Sequence, residues 1–421
     1  MNKDKPELIK YPNGTHLLSI KDTTYNTTSI YFYIKLGSKY EKKEINGISH
    51  FLEHMVFKSN TKYPKPEIMT QIIDSMGVSY NAYTNKSHTA YHYKFPTDLG
   101  ILKKICDIAY HMLFKSVFKD NDIKVERDVI IQEIKGDLNN PDITFEDKIE
   151  NNLFAKTPLE FNVAGNLKSI NNIKKTDLEE YYNKFYKPEN LIIVVSGNLP
   201  VGFKKVINNR FSKGPKMENI DLMNKLIPFE SPYQGENMKD LRVKLKYKNG
   251  MEKTQKHLAI VFLTKGLYDE NRLVYRLLAN LLGGNMSSRL FLKIRENLGL
   301  VYTISSSNIL YMETGYFYIK CKLNETNIPK VLKIINNELQ DMIKNGITDK
   351  ELKKSKFYVI NNLKMDLNDN DYKSEFYGEQ LLNYPEIKTV QKYINQLKRI
   401  TKKDINSAIK TLFNQPKIIF N

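Results

Sequence analysis

The chain has 421 residues, 41% of them hydrophobic, which excludes a disordered polymer and leaves room for two domains of about 100–200 residues each. Its net charge of +18 comes from scattered lysines rather than one basic stripe, so compositional bias explains it better than a nucleic-acid surface. Two cysteines, Cys106 and Cys321, exclude a disulfide framework and read as buried thiols. Thr28 to Gly37 is rich in aromatic and β-branched residues and predicts a strand. From Ile48 to Phe57 the spacing becomes helical, with Phe51, Leu52, Met55 and Val56 on one apolar face. SYNAYT and HTAYHYKF, broken at Asn85, Lys86 and Ser87, predict a hairpin. Leu102 to Phe114 predicts a helix, and Asp120 to Ile149 one long charged helix. Leu191 to Val195 predicts a short buried strand closed by Ser196 and Gly197.

Pro/Gly/Ser punctuation is densest between Pro200 and Leu245 and predicts a connection. A similar series then follows. His257 to Leu263 predicts a strand, Asn271 to Leu282 a helix, Arg289 to Asn297 another helix, and VYTISSS and TGYFYIKCKL two strands. Two long helical stretches and a final strand, KIIF, complete the chain. IKKTDLEEYY before LIIVV matches ITKKDINSAI before KIIF in order and spacing, so the halves read as distant repeats. The expected fold is α+β. It has two structurally related domains, each a mixed or antiparallel sheet with helices packed on one face. The expected division is 1–205, a linker at 206–245, and 246–421.

The strongest chemical signal is His50-Phe51-Leu52-Glu53-His54. Residues three and four apart share a helix face, about 5–6 Å between Cβ atoms, so His50 and His54 can reach one metal ion. Glu53 projects beside His54, placed to take a proton from water activated by the metal. Catalytic zinc usually takes three protein ligands and keeps one position open. Glu133 is the expected third ligand. Glu126 lies seven residues before it, almost two full turns, and is expected to orient a ligand or the water. The other reading is a chance cluster on a surface helix, but only seven histidines occur in the chain. His88 and His92 read as strand residues beside Tyr91 and Tyr93. His16, His111 and His257 read as structural.

These residues resemble the pitrilysin-like M16 metallopeptidases, or inverzincins, whose HxxEH motif reverses the thermolysin-type order. The resemblance spans essentially the whole chain. HFLEHMVFKS resembles the zinc helix, and ERDVIIQEI the segment that supplies Glu133. SYNAYTNKSHTAYHY is similar to the substrate-binding edge strand, which implies that Asn81 and the backbone around Ala82 hold an extended peptide by β-addition. GGNMSSRLFLKIRENLGLVY is similar to the Arg/Tyr segment, which implies that Arg295 and Tyr302 contact substrate and help stabilise the oxyanion. KTPLEFNVAGN departs from the commoner His- and Gly-containing loop.

The implied activity is a zinc metalloendopeptidase with one zinc ion per chain, acting on short or unfolded polypeptides in an enclosed chamber. The chain has the length of members that pair, so a homodimer is expected, with Arg295 and Tyr302 serving the partner's site. Acidic residues from Asp120 to Asp147 would suit basic peptides, or equally form an ordinary solvated helix face. No run approaches the ~18 apolar residues of a membrane span and the start lacks an apolar signal core, so a cytoplasmic protein is expected. The alternative is a noncatalytic structural or assembly subunit that keeps the fold; such members lose metal ligands, and none is lost here. A nucleic-acid partner rests on net charge alone and is not expected.

Overall fold

In the computed structural model, residues 5–214, 240–245 and 255–421 are described. Strands β1 (Glu7–Lys10), β2 (His16–Lys21), β3 (Thr27–Ile34), β4 (Ser79–Thr84), β5 (Thr89–Pro96) and β6 (Leu191–Gly197) form the first sheet, in the order β1-β2-β6-β3-β5-β4. Only the β2–β6 pair is parallel. Strands β7 (Leu241–Val243), β8 (Lys256–Lys265), β9 (Val301–Leu310), β10 (Thr314–Leu323) and β11 (Ile418–Phe420) form the second, in the order β7-β11-β8-β10-β9. Only β7–β11 is parallel there. Without β1, the two sheets have the same order and polarity, as expected of a repeat.

Two compact units result. The first contains the described residues of 1–138, 156–225 and 366–389, and the second those of 139–155, 226–365 and 390–421. Neither is one interval of sequence, unlike the contiguous division expected. Most of the 206–245 connection lies outside the described residues; its described ends are the helix Phe203–Phe211 with the residues after it, and β7.

The reason is a reciprocal exchange of helices. The expected long helix from Asp120 to Ile149 is two helices, α4 (Asp120–Leu138) and α5 (Pro141–Leu153), following α1 (Ile48–Val56), α2 (Pro66–Ser75) and α3 (Leu99–Phe114). Pro141 stands at the first turn of α5, where a missing N–H costs nothing, and Asn140 caps it by accepting from the Asp142 N–H at 3.0 Å. The break sends α5 to the second unit. There Phe145 stacks on His257 at 5.0 Å, Asp142 accepts from His257 at 3.0 Å, and Glu150 accepts from Tyr316 at 3.0 Å. In return, the helix Asn370–Asn383 belongs to the first unit. Lys373 pairs with Asp22 at 2.7 Å, and Asn370 donates to the Thr27 carbonyl at 3.1 Å.

The first unit's core is built from the face of β3 and β5 that carries Ile30, Phe32, Ile34, Tyr91, Tyr93 and Phe95, packed against α1 and α3. The opposite face, with Tyr31 and Tyr33, lies under the exchanged helix. Covered on both sides, the middle strand β6 is buried along its whole length. The exchanged helix passes close to the sheet at Gly378, where a Cβ would sit 2.6 Å from the Tyr33 ring. Cys106 and Cys321 are free and buried. Among the described residues, no helix is long and apolar enough to cross a membrane.

Replacing Gly378 with valine forces a side chain into the Tyr33 ring. It should lower stability by about 1–3 kcal/mol, the usual range for overpacking. A urea melt measures this; an unchanged midpoint would mean that the helix is not seated on Tyr33.

Candidate metal centre

Helix α1 is anchored by sequence on one side and presents chemistry on the other. Ile48, Phe51, Leu52, Met55 and Val56 are fully buried, each worth about 1.5–3 kcal/mol over exposure. That burial works against the cost of taking His50, Glu53 and His54 largely out of water on the adjoining face. The helix starts at Gly47, in a left-handed conformation with φ of 97°, and a Cβ there would meet the Ala164 carbonyl oxygen at 2.7 Å. No side chain at the cap position serves the first N–H groups. Glu41 does so from outside the helix. Its buried carboxylate accepts from the Gly47 N–H at 2.6 Å, the Ser49 N–H at 2.8 Å and Asn46 Nδ2 at 2.8 Å.

Helix α4 buries Ile123, Ile130 and Ile134 and carries Glu126 and Glu133 seven residues apart. His50 Nε2 and His54 Nε2 stand 3.3 Å apart, and Glu133 Oε2 is 3.8 Å from each. For a triangle of sides 3.3, 3.8 and 3.8 Å, the equidistant point lies about 2.1 Å from each corner, the separation zinc takes from imidazole nitrogen and carboxylate oxygen. Among the described residues, this is the one group of three or more His, Cys, Asp or Glu side chains close enough to hold a metal ion.

The remaining bonds orient the donors. Glu126 is buried and accepts from His54 Nδ1 at 3.0 Å, which turns Nε2 toward the other two donors. Burial opposes a charge on His54, but Glu126, Glu53 and Glu133 raise its pKa, so a metal ion binding at Nε2 would displace a proton. Lys58 Nζ holds the other Glu126 oxygen at 2.5 Å. Burial acts against ionisation of Glu126, but the bonds and charges of His54 and Lys58 prevail and hold its carboxyl below the ordinary range. Burial, aided by the nearby His54, pushes His50 down to about 3, so it stands as a neutral imidazole. His50 Nδ1 is buried and has no hydrogen-bond partner among the described residues, so packing holds that ring. The donor set of two imidazoles and a carboxylate therefore fits zinc.

Glu53 lies beside His54. Burial raises its pKa, reinforced by the Glu133 charge and opposed by Thr84 and His54. Thr84 Oγ1 donates to Glu53 Oε2 at 2.6 Å. Thr84 ends β4, the outermost strand of its sheet. Asn81 Oδ1 accepts from the Ala82 N–H at 2.9 Å on the same strand. Next to Glu53 and His54, a cavity of about 310 Å³ is lined mainly by Phe57, Pro66, Met69, Ile73, Tyr80 and Met112, with Lys58 and Glu126 among its polar groups.

Thus His50, Glu53, His54, Glu126 and Glu133 come together, and Asn81 and Ala82 line the neighbouring cavity. Arg295 and Tyr302 belong to the second unit. There a π-type turn spans Phe291–Glu296 where an ordinary helix was expected. Arg295 lies over the Phe291 ring at 4.7 Å and its Nε donates to the Tyr302 carbonyl at 3.0 Å. Tyr302 is 66% exposed. Three residues that position the centre were not singled out from sequence: Glu41, Lys58 and Thr84. Lys58 is four residues after His54 and could have been found by helical spacing. Glu41 and Thr84 act across loops and carry no local signal.

Part of the acidic run has another use. Asp142 pairs with Lys322 at 2.5 Å and with His257, and Glu146 pairs with Lys320. These acids neutralise bases on the second sheet.

The family profile described as "Insulinase (Peptidase family M16)" matches residues 16–166, and that described as "Peptidase M16 inactive domain" matches residues 172–358. A Bacillus subtilis protein named as an uncharacterized zinc protease is 29% identical over 96% of this chain and 94% of its own. A similarly named protein of Rickettsia felis is 29% identical over 98% of this chain and 96% of its own. In fold, the chain is similar to the crystal structure of a protease from Helicobacter pylori. The TM-score is 0.87 at 20% identity, covering 99% of this chain and 100% of that one. It is also similar to a putative M16-like peptidase from Alicyclobacillus acidocaldarius. Here the TM-score is 0.82 at 18% identity, covering 100% and 99%. With the two profiles matching successive parts of the chain, 16–166 and 172–358, and these two relatives matching over 94% and 96% of their own length, this chain belongs to the M16 peptidase family.

Proposed function

We propose that the chain is a zinc metalloendopeptidase of short or unfolded polypeptides, with His50, His54 and Glu133 as ligands of one zinc ion. The observation that carries this is the triangle of three donor atoms, sized for zinc, with the Glu53 carboxyl, held by Thr84, next to it and an open strand edge beside that. The names of the relatives agree with it. When bound, zinc supplies a Lewis acid and makes water a strong nucleophile near neutral pH.

The other steps fall to side chains. Glu126 fixes the His54 tautomer. Glu53 takes the proton of the attacking water and returns it to the leaving amine. The edge of β4 around Asn81 and Ala82 holds the peptide extended, so folded substrates are disfavoured. A side chain of that peptide enters the apolar cavity, which suits a large aliphatic or aromatic residue. Arg295 and Tyr302 assist substrate binding and oxyanion stabilisation. Their motif and the HxxEH motif occur in one chain, so a homodimer can complete two enclosed sites.

Three measurements test this reading. By metal titration, Glu133→Ala should lose most zinc affinity, and Glu126→Ala should weaken it about 10–100-fold, the usual effect of removing a carboxylate that orients a ligand histidine. Full affinity in Glu133→Ala would remove it from the ligand set. In a peptide-cleavage assay, Glu53→Gln should keep zinc and lose activity by about 10²–10⁴-fold, the usual contribution of a general base. Wild-type turnover would leave the base unassigned. Finally, mixing Glu53→Gln with Tyr302→Phe chains should restore activity, because one site of the mixed dimer regains both groups. A mixture no better than its parts would count against action in trans.

A further inference from the structure

Among the described residues, the hydroxyl that reaches Glu53 is that of Thr84, 2.6 Å from Oε2. The direction of this bond follows from counting protons. Thr89 Oγ1, 3.2 Å from Thr84 Oγ1, donates to the buried Leu36 carbonyl at 2.9 Å. Its single proton is committed there, so it cannot also serve Thr84. The single proton of Thr84 is left for the Glu53 carboxylate, as a charge-assisted bond.

The backbone at this point has a second role. The Asn85 N–H donates to the His88 carbonyl at 2.9 Å, which makes that pair a hydrogen-bonded rung of the hairpin. With Thr84 opposite Thr89 and Ala82 opposite Tyr91, the antiparallel ladder alternates from there. The N–H and C=O groups of Tyr80, Ala82 and Thr84 therefore turn to the open edge of β4. The Asn81 side chain, covering the Ala82 N–H, marks that edge as one with a bond to give. The residues that offer backbone to an added strand are thus the same ones whose side chains point at the cavity and Glu53.

We propose that Thr84 is a positioning residue for Glu53, and that β4 thereby fixes the peptide and the base in one register. Two residues of strand, about 6.6 Å, separate the Ala82 rung from the hydroxyl. A peptide paired at Ala82 has its scissile bond set relative to Glu53 by one rigid strand rather than by two independent loops. The inference rests on the peptidase reading and on Glu53 as base.

The test compares wild type, Thr84→Val, Thr84→Ser and Glu53→Gln, each loaded with zinc and checked for an unchanged melting midpoint. The readouts are kcat and KM on an unfolded fluorogenic peptide and zinc bound per chain. A calorimetric Kd for the same peptide is read in the inactive Glu53→Gln background, with and without Thr84→Val. Thr84→Val should lower kcat about 10–100-fold, the scale of misplacing a catalytic group by an ångström. KM, Kd and zinc content should stay within about two-fold, because binding is untouched. Thr84→Ser, which keeps the hydroxyl, should recover most of the loss. Wild-type kcat in Thr84→Val overturns the proposal, as does a serine variant as impaired as the valine, or a loss that appears only in KM or zinc content. Full activity in Glu53→Gln would instead overturn the base reading beneath it, and is distinguished by that variant alone.

Discussion

Two imidazole nitrogens 3.3 Å apart, with a carboxylate oxygen 3.8 Å from each, have little reason to stay together on their own. All three groups lose hydration by gathering. The rest of the first unit supplies the compensation. Five fully buried apolar residues pin α1, the Glu41 carboxylate holds its first turn, and Ile123, Ile130 and Ile134 pin α4. Glu126 then converts the approach of the helices into chemistry. It is the buried charge that both neutralises Lys58 and decides which His54 nitrogen faces the metal position. A cation at the centre of the triangle would offset the hydration that the fold removes.

The exchange of helices extends this rigidity. Each sheet receives on its polar face a helix encoded in the other half of the chain. For the first sheet that helix lies over Tyr31 and Tyr33, on the side opposite the metal centre. Strands β3, β5 and β6 are thereby covered on both faces. Strand β4 lies at an edge of the sheet, touches the centre through Thr84 and lines the cavity. An open edge is a liability in most proteins. Here it is short and carries the Asn81 side chain folded over the Ala82 N–H.

The same exchange gives part of the acidic run a structural use. On a chain of net charge +18, the acids of α5 are spent on Lys320, Lys322 and His257 of the second sheet. They attach the helix to that sheet.

Local sequence carried a good deal of this. The four-residue spacing of His50 and His54, the seven-residue spacing of Glu126 and Glu133, and the apolar faces behind them are properties of a helix and can be read without a fold. The hairpin of β4 and β5 and the repeated order of strands were legible because period-two patterns and turn residues are local as well. Sequence could not show which sheet a helix covers. Residues 141–153 look like a continuation of α4, although the Asn-Asn-Pro signal for the break was present, because amphipathic spacing records that a face is buried and not against what. Nor could it show Thr84 reaching Glu53 across 31 residues or Glu41 capping a helix it does not belong to. Those contacts are set by how strand and helix pack, and only the tertiary structure decides that.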